Sequence, residues 1–137
     1  MFYQTPPVSD FQRWARAGSI AIFNHRSRAH SEAYLRKIAV IEEGGSNQDL
    51  PDGQRFSDNY YSQAYARLSR NGIAQTVTTY FGNPGSGRFL HYNELRSITT
   101  REAARFQSFP DTCVFAGNHS TQMRHVGMPF RLYWRGP

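Results

Sequence analysis

Several features common in proteins are scarce in this sequence, and each shortage excludes a class of structure. The 137 residues contain one cysteine, Cys113, which excludes an internal disulfide and leaves no Cys-x-x-Cys pair for a zinc site. No apolar run is long enough to span a bilayer, and the first residues lack the charged and then apolar pattern of a secretion signal. A cytoplasmic protein is therefore the default expectation.

Large apolar side chains are also in short supply. Leu, Ile, Val and Phe together account for 27 of the 137 residues, near the lower limit for a self-sufficient globular domain. Aromatic residues, at 15%, must therefore supply much of the buried area. The length fits one domain. This thin core favours a small lobe that packs against a larger one, although small β-rich domains have similar compositions.

Lysine is almost absent, since Lys37 is the only one, yet the chain has a formal net charge of +6 and a sequence pI near 9.9. The positive charge is therefore almost entirely arginine, whose planar guanidinium suits phosphates and guanine edges. On composition alone, nucleic-acid binding and a basic surface without a partner are equally good explanations. The five histidines have no spacing typical of a metal site, so we expect surface or hydrogen-bonded histidines.

The best-defined local signal is a short helix that begins after Thr99. Thr99 is a favourable N-cap and Glu102 stands three residues later, which is the spacing of a capping box. Phe109 precedes Pro110, and a residue before proline is disfavoured in the helical conformation, so the helix is short. Two further helices are predicted from Ser9 to Gly18 and from Ser31 to Gly44, each with a polar N-cap and a terminating glycine.

Apolar and β-branched stretches predict strands. Residues 20–23 are a short apolar run, and Ile73–Phe81 and Arg88–Tyr92 flank a glycine-rich loop, so we expect one short strand and one hairpin. The loop, Gly82–Gly87, lacks the Gly-Lys-Ser/Thr sequence that would bring a lysine to the phosphates in a phosphate-binding loop, and a plain connection is the favoured interpretation. Residues 46–62 show no periodicity and are predicted to be a loop.

The helix motif also resembles a known family. Residues 96–111 read Arg-x-x-Thr-x-Arg-Glu-Ala-Ala-Arg-x-Gln-Ser-Phe-Pro-Asp, which is similar to the ninth sequence block of the DNA cytosine-5 methyltransferases. The eighth block and the approach to the tenth resemble Arg67-Leu68 with residues 72–78, and Gln122-x-Arg124-x-Val126-Gly127. The opening of a target recognition region resembles residues 6–12, Asn24-His25 and residues 44–51. The resemblance covers nearly the whole chain but only the C-terminal part of the family.

The resemblance implies an α+β fold: a small, mainly β target-recognition lobe with two or three short helices and no Rossmann-like cofactor domain. Residues 1–95 would form the target-recognition region with its hairpin, and residues 96–127 the ninth-block helix and the approach to the tenth block. Residues 128–137 depart from the family's Asn-Ala-Val-Pro-Pro. A one-nucleotide shift of the reading frame permits that ending, so we hypothesise a frameshifted tail, which the nucleotide sequence would decide.

Double-stranded DNA is the partner that the resemblance implies, and side-chain chemistry selects the candidate contacts. The candidates for phosphate contacts are Arg26, Arg28, Arg67, Arg70 and Thr76, and those for base contacts are Asn47, Gln48, Arg55 and Tyr60. Thr76 is included because the family's threonine at this place hydrogen-bonds a phosphate beside the flipped cytosine. We assign Arg96, Arg101 and Glu102 to structure.

The equipment for methyl transfer is not visible in these residues. The family's Pro-Cys nucleophile, its Phe-x-Gly-x-Gly turn for S-adenosylmethionine and its Glu-Asn-Val block are all missing. No catalytic, cofactor-binding or metal-binding residue is therefore assigned. The leading hypothesis is a DNA-binding portion of a methyltransferase of the restriction–modification type that is inactive alone. The alternatives are a recognition subunit completed by a separate catalytic chain, and a non-functional remnant that forms homodimers.

Overall fold

The computed structural model describes residues 1–56 and 62–128. Within them, four α-helices follow one another along the chain: α1 Asp10–Arg16, α2 Glu32–Ala39, α3 Thr100–Phe106 and α4 His119–Gly127. Two 3₁₀ turns, Asn47–Asp49 and Pro84–Ser86, lie between α2 and α3. None of the four described helices has the length and apolar character needed to cross a bilayer.

Each helix begins where a polar side chain caps it. The side-chain oxygen of the N-cap accepts a hydrogen bond from the backbone N–H three residues later, at Ser9, Ser31, Thr99 and Asn118. The starts of the three predicted helices are thereby confirmed, including the capping box of α3, but α2 ends at Ala39, before the predicted terminating glycine Gly44. The sequence analysis missed α4, although Asn118 is a recognisable N-cap.

The expectation of an α+β fold with a mainly β lobe is wrong. The residues that the structure describes form no strand and no sheet, and helices dominate their regular structure. Two isolated β-bridges pair Leu90 with Arg67 in parallel and Leu90 with Ser97 in antiparallel orientation. The backbone therefore pairs residue by residue around Leu90 instead of forming extended ladders.

The predicted hairpin fails because its two halves have other neighbours. The N–H of Leu90 donates to the carbonyl of Ala66, and the N–H of Ile98 donates to the carbonyl of Phe89. Ile73 is 96% exposed, so the β-branched stretch that it opens does not present the half-buried face on which strand propensity depends. The predicted strand at residues 20–23 is also absent, and Ile20 is 84% exposed.

Two apolar clusters form the core. The larger lies around α3 and α4 and contains Leu68, Val77, Phe81, Phe89, Ile98, Ala103, Ala104, Phe109 and Val126. The smaller joins α2 to the first 3₁₀ turn through Ile38, Ile41, Leu50 and Leu90. Aromatic side chains complete the smaller cluster, where the rings of Phe56 and Tyr65 stack with centroids 4.0 Å apart. The thin aliphatic core is thus supplemented by aromatic residues, as the composition predicted.

α4 ends in direct contact with an extended stretch of backbone. A Cβ atom placed on Gly127 would lie 2.5 Å from the carbonyl carbon and oxygen of Thr78. This close approach requires glycine, because any side chain would displace the helix from that backbone. The predicted division of the chain after residue 95 stays a prediction. The hypothetical frameshifted tail lies almost wholly outside the described residues, of which Met128 is the last.

Candidate functional site

The first turn of α3 carries a network of polar contacts. Thr99 Oγ1 accepts the Glu102 N–H at 3.2 Å, and Glu102 Oε2 accepts the Thr99 N–H at 2.8 Å. Arg96 donates two hydrogen bonds to the same carboxylate, both at 2.8 Å, with both side chains less than one-fifth exposed. Burial raises the pKa of Glu102, but the hydrogen bonds from Arg96 and Thr99 outweigh it, so the net pKa is below its ordinary value.

A second ionic centre lies beyond the end of α3. Asp111 is fully buried and accepts hydrogen bonds from Arg105 at 2.5 and 2.9 Å and from the Tyr3 hydroxyl at 2.6 Å. Arg101 is also fully buried, with Nη1 3.7 Å from Asp111. Burial raises the pKa of Asp111, but its hydrogen bonds and the neighbouring arginines outweigh this effect, so the net pKa is below its ordinary value. These contacts confirm the structural role that the sequence analysis assigned to Arg96, Arg101 and Glu102.

The segment from Asn24 to His30, here called the basic segment, is fixed to this scaffold at both ends. Asn24 adopts a left-handed backbone conformation with φ of 58°, and its side chain bonds the N–H and carbonyl of Phe115 at 3.0 and 2.8 Å. Its carbonyl accepts the N–H of Arg101 at 3.0 Å. At the other end, His30 Nε2 lies 2.7 Å from the buried Ser97 hydroxyl.

Inside the basic segment, the histidines contact the scaffold and the arginines are exposed. His25 Nδ1 lies 3.0 Å from Thr99 Oγ1, whereas Arg26 and Arg28 are exposed. Within residues 1–56 and 62–128, neither guanidinium makes a hydrogen bond or an ion pair. The Arg28 charge adds to burial in lowering the pKa of His30 and of His119. Two predicted phosphate contacts are thus available to an anion.

Arg67, the third of these candidates, is engaged elsewhere. It is 4% exposed, and its guanidinium donates to four backbone carbonyls at 2.6 to 3.0 Å, those of Ile38, Ile41, His91 and Glu94. The side chain therefore ties the end of α2 to the turn after Leu90. We give Arg67 a structural role and leave it out of the DNA contacts proposed below.

Arg70 lies on another part of the surface. Its guanidinium packs over the Tyr92 ring, 5.0 Å from the centroid, with Nη2 3.4 Å from the Tyr92 hydroxyl. Both residues border an open groove of about 400 Å³ whose lining also includes Phe11 and Phe106. Arg70 is exposed, so its charge remains accessible from solvent.

Thr76 lies exposed in the extended stretch that precedes Val77. It borders a groove of about 520 Å³ together with Gln107 and Gly127. The hydroxyl thus stands where α4 packs against the chain. Whether it contacts a phosphate stays a prediction.

Two of the candidates for base contacts, Asn47 and Arg55, make hydrogen bonds within the loop that follows α2. Asn47 is 1% exposed and its Oδ1 accepts the N–H of Phe56 at 2.6 Å, so its side chain holds the loop closed. Arg55 donates to the carbonyls of Leu50 and Gln48 at 3.0 and 3.3 Å, while the Gln48 side chain is exposed. Tyr60 lies outside the described residues. Their roles toward bases stay predictions.

The glycine-rich loop is filled by the protein itself. Asn83 caps its 3₁₀ turn, a Cβ on Gly85 would lie 3.2 Å from the Tyr65 hydroxyl, and one on Gly87 would meet the Phe89 ring at 2.5 Å. The loop is therefore a packed connection, as predicted. In the parts of the chain that the structure describes, no three His, Cys, Asp or Glu residues are grouped to hold a metal ion.

The sequence analysis did not predict which residues the histidines would contact. We expected surface or hydrogen-bonded histidines, and the hydrogen bonds of His25, His30 and His91 confirm this. Their partners, however, are 74 and 67 residues away for His25 and His30. No local signal identifies such partners.

Comparisons with known proteins agree with this geometry. Residues 10–130 match the family model described as C-5 cytosine-specific DNA methylase. The chain is 37% identical over 109 residues to the type II methyltransferase M1.BsuMI of Bacillus subtilis, covering 77% of this chain and 25% of that protein. It is 32% identical over 120 residues to M1.HphI of Haemophilus parahaemolyticus, covering 88% of this chain and 31% of that protein.

The similarity extends beyond bacteria. The rice DNA (cytosine-5)-methyltransferase 1B is 32% identical over 147 residues, with 91% of this chain and 10% of that protein covered. The matched region is thus about a quarter to a third of the two bacterial relatives and a smaller share of the plant one.

Proposed function

This chain belongs to the C-5 cytosine-specific DNA methylase family, and we propose that it forms the C-terminal target-recognition portion of a DNA (cytosine-5) methyltransferase. In this role it binds double-stranded DNA without transferring methyl groups itself. Support comes from the ninth-block motif, whose residues build the scaffold around α3, and from relatives of which the chain covers only a part.

The basic segment is the observation that carries the DNA-binding part of the proposal. Arg26 and Arg28 are exposed and make no hydrogen bond or ion pair to the described residues, on a backbone that is fixed at Asn24, His25 and His30. Arginines of this kind bind phosphates and displace the counterions of duplex DNA. Arg70 and Thr76 are the further proposed contacts, because both are exposed.

The remaining functions of a methyltransferase fall outside these 137 residues in this proposal. The sequence has no Pro-Cys dipeptide and no Phe-x-Gly-x-Gly turn. The nucleophile and the methyl donor are then supplied by another segment or another chain. We derive no step of the methyl transfer from the residues described here.

Fluorescence anisotropy with a labelled duplex of mixed sequence tests DNA binding. We expect binding at low ionic strength, with an affinity that falls linearly with salt on logarithmic axes. Replacing Arg26 and Arg28 by alanine removes two phosphate contacts, so the slope should become shallower by about two, roughly 0.9 for each phosphate lost.

Arg13 and Arg36 offer a matched control. Both are exposed, and each is paired with an acidic residue of its own helix, Asp10 or Glu32. Their double alanine variant loses the same charge and should keep a salt slope near that of the parent. Absence of binding by the parent at low salt, or equal losses in both double variants, would overturn the proposal. A dimer mass without DNA binding would instead support the remnant interpretation.

A further inference from the structure

We propose that His25 and His30 are positioning residues for DNA binding: their hydrogen bonds to Thr99 and Ser97 hold the basic segment so that Arg26 and Arg28 point together at the phosphate backbone. This inference rests on the proposed function and deepens it. It assigns a binding role to two histidines that do not themselves contact DNA.

The two hydroxyl groups that receive the histidines are part of the scaffold. Thr99 is the N-cap of α3, and Ser97 takes part in the β-bridge to Leu90. Both residues are buried, at 2% and 0% exposure. The basic segment is therefore attached to the ordered backbone of the ninth-block motif and not to another surface loop.

Thr99 Oγ1 joins His25 to the capping box of α3. The hydroxyl oxygen accepts the Glu102 N–H and lies 3.0 Å from Nδ1 of His25. Burial lowers the pKa of His25, which favours the neutral ring. A neutral ring donates to this hydroxyl or accepts from it according to its tautomer.

His30 fixes the other end by two contacts. Nε2 lies 2.7 Å from Ser97 Oγ, and the ring stacks on Tyr34 of α2 with centroids 4.6 Å apart. His30 thereby joins the basic segment both to the backbone that precedes α3 and to α2. Arg26 and Arg28 lie between the two histidine anchors.

A fixed backbone should strengthen binding, because a segment that becomes ordered only on binding loses conformational entropy. A flexible segment carrying two arginines would lose backbone freedom when both engage phosphates. Here folding has already removed that freedom. The histidines should therefore increase DNA affinity only through Arg26 and Arg28, and their removal should have no separate effect once those arginines are gone.

Two sets of variants separate positioning from general stability. His25→Leu/His30→Leu removes both hydrogen bonds while keeping bulk. His25→Asn/His30→Gln restores an amide near the places of Nδ1 and Nε2. We expect the leucine pair to weaken duplex binding by about tenfold with a shallower salt slope, and the amide pair to recover most of it. Thermal unfolding of each variant shows whether it is folded.

The decisive measurement repeats the leucine pair in the Arg26→Ala/Arg28→Ala background. There it should change affinity by less than about twofold, because coupled residues are not additive. An equal loss in both backgrounds, or no loss in the parent, overturns the inference. If the leucine pair does not fold, the comparison of His30→Leu with His30→Gln answers the same question.

These outcomes are distinct from failure of the proposed function. If the parent protein does not bind duplex DNA at low salt, the proposed function is wrong and this inference falls with it. If the parent binds in an arginine-dependent way and the histidine variants act additively, only the inference is wrong.

Discussion

Replacing Glu102 by alanine should be one of the most damaging single changes in this protein. The carboxylate accepts three hydrogen bonds at 2.8 Å: two from Arg96 and one from the backbone N–H of Thr99. Glu102 is 17% exposed and Arg96 is 14% exposed, so both charges are largely removed from water. The substitution therefore breaks the capping box and leaves the Arg96 charge with only Glu94, which is 57% exposed.

The expected loss follows from these contacts. A lost helix cap costs about 1 kcal/mol. Removing one partner of a buried ion pair costs about 3–5 kcal/mol, and the partial exposure here reduces that figure. We expect the free energy of unfolding to fall by about 3 kcal/mol, a large part of the roughly 5–15 kcal/mol of a typical domain. Glu102→Gln keeps an acceptor for Thr99 and should cost about half as much.

Urea unfolding followed by circular dichroism measures these values, with Arg36→Ala as the control. Arg36 and Glu32 are 77% and 80% exposed, so breaking that pair should cost about 0.5 kcal/mol or less. The Arg96→Ala/Glu102→Ala double variant should lose less than the sum of its single variants, because Arg96 no longer remains uncompensated. If Glu102→Ala costs less than about 1 kcal/mol, the pair behaves like a surface ion pair and the reasoning is wrong.

Three further outcomes follow from the structure. Arg67→Met removes the guanidinium donor of four backbone carbonyls, of which those of Ile38 and Glu94 keep a backbone N–H donor, and should lower the free energy of unfolding by about 3–5 kcal/mol in the same urea assay; an unchanged midpoint would contradict the buried geometry. Gly127→Ala places a methyl group against the Thr78 backbone and should cost about 1–3 kcal/mol in thermal unfolding, whereas wild-type stability would mean that α4 is not packed there. Acidification should destabilise the fold in two stages. His25 and His91 have a pKa lowered from the ordinary 6.5, chiefly by burial, so the unfolded chain binds more protons and stability is lost as pH falls below about 6.5. The lowered pKa of Glu102 adds a second loss of stability below about pH 4.5. A free energy of unfolding that increases as the pH falls from 7.5 to 5.5 would contradict this prediction.

Predictions that depended on neighbouring residues were correct. The caps at Ser9, Ser31 and Thr99 and the capping box of Glu102 involve atoms within one helical turn, so the sequence contains all the information that they require. The motif from residue 96 to residue 111 identified the family for the same reason, because its spelling is continuous in the chain.

Predictions that depended on distant partners were the ones that failed or were incomplete. The hairpin was wrong because β-branched residues favour strands only where a pleated, half-buried surface is available, and Ile73 has none. Arg67 and Asn47 were predicted to be polar residues that contact DNA. Each is instead buried and hydrogen-bonded to a backbone group of a residue that is not its neighbour in the sequence. The missed α4 is an exception, since its cap at Asn118 is local.

The sequence by itself therefore determined the starts of three helices, the arginine-rich charge and the membership of a methyltransferase family, all of which are carried by adjacent residues or by composition. Only the tertiary structure decided which arginines face solvent. Arg26 and Arg67 are chemically identical, and burial against the end of α2 makes Arg67 a structural donor while Arg26 is exposed. A side chain's role depends on the partners that folding brings to it, and those partners lie far away in the chain.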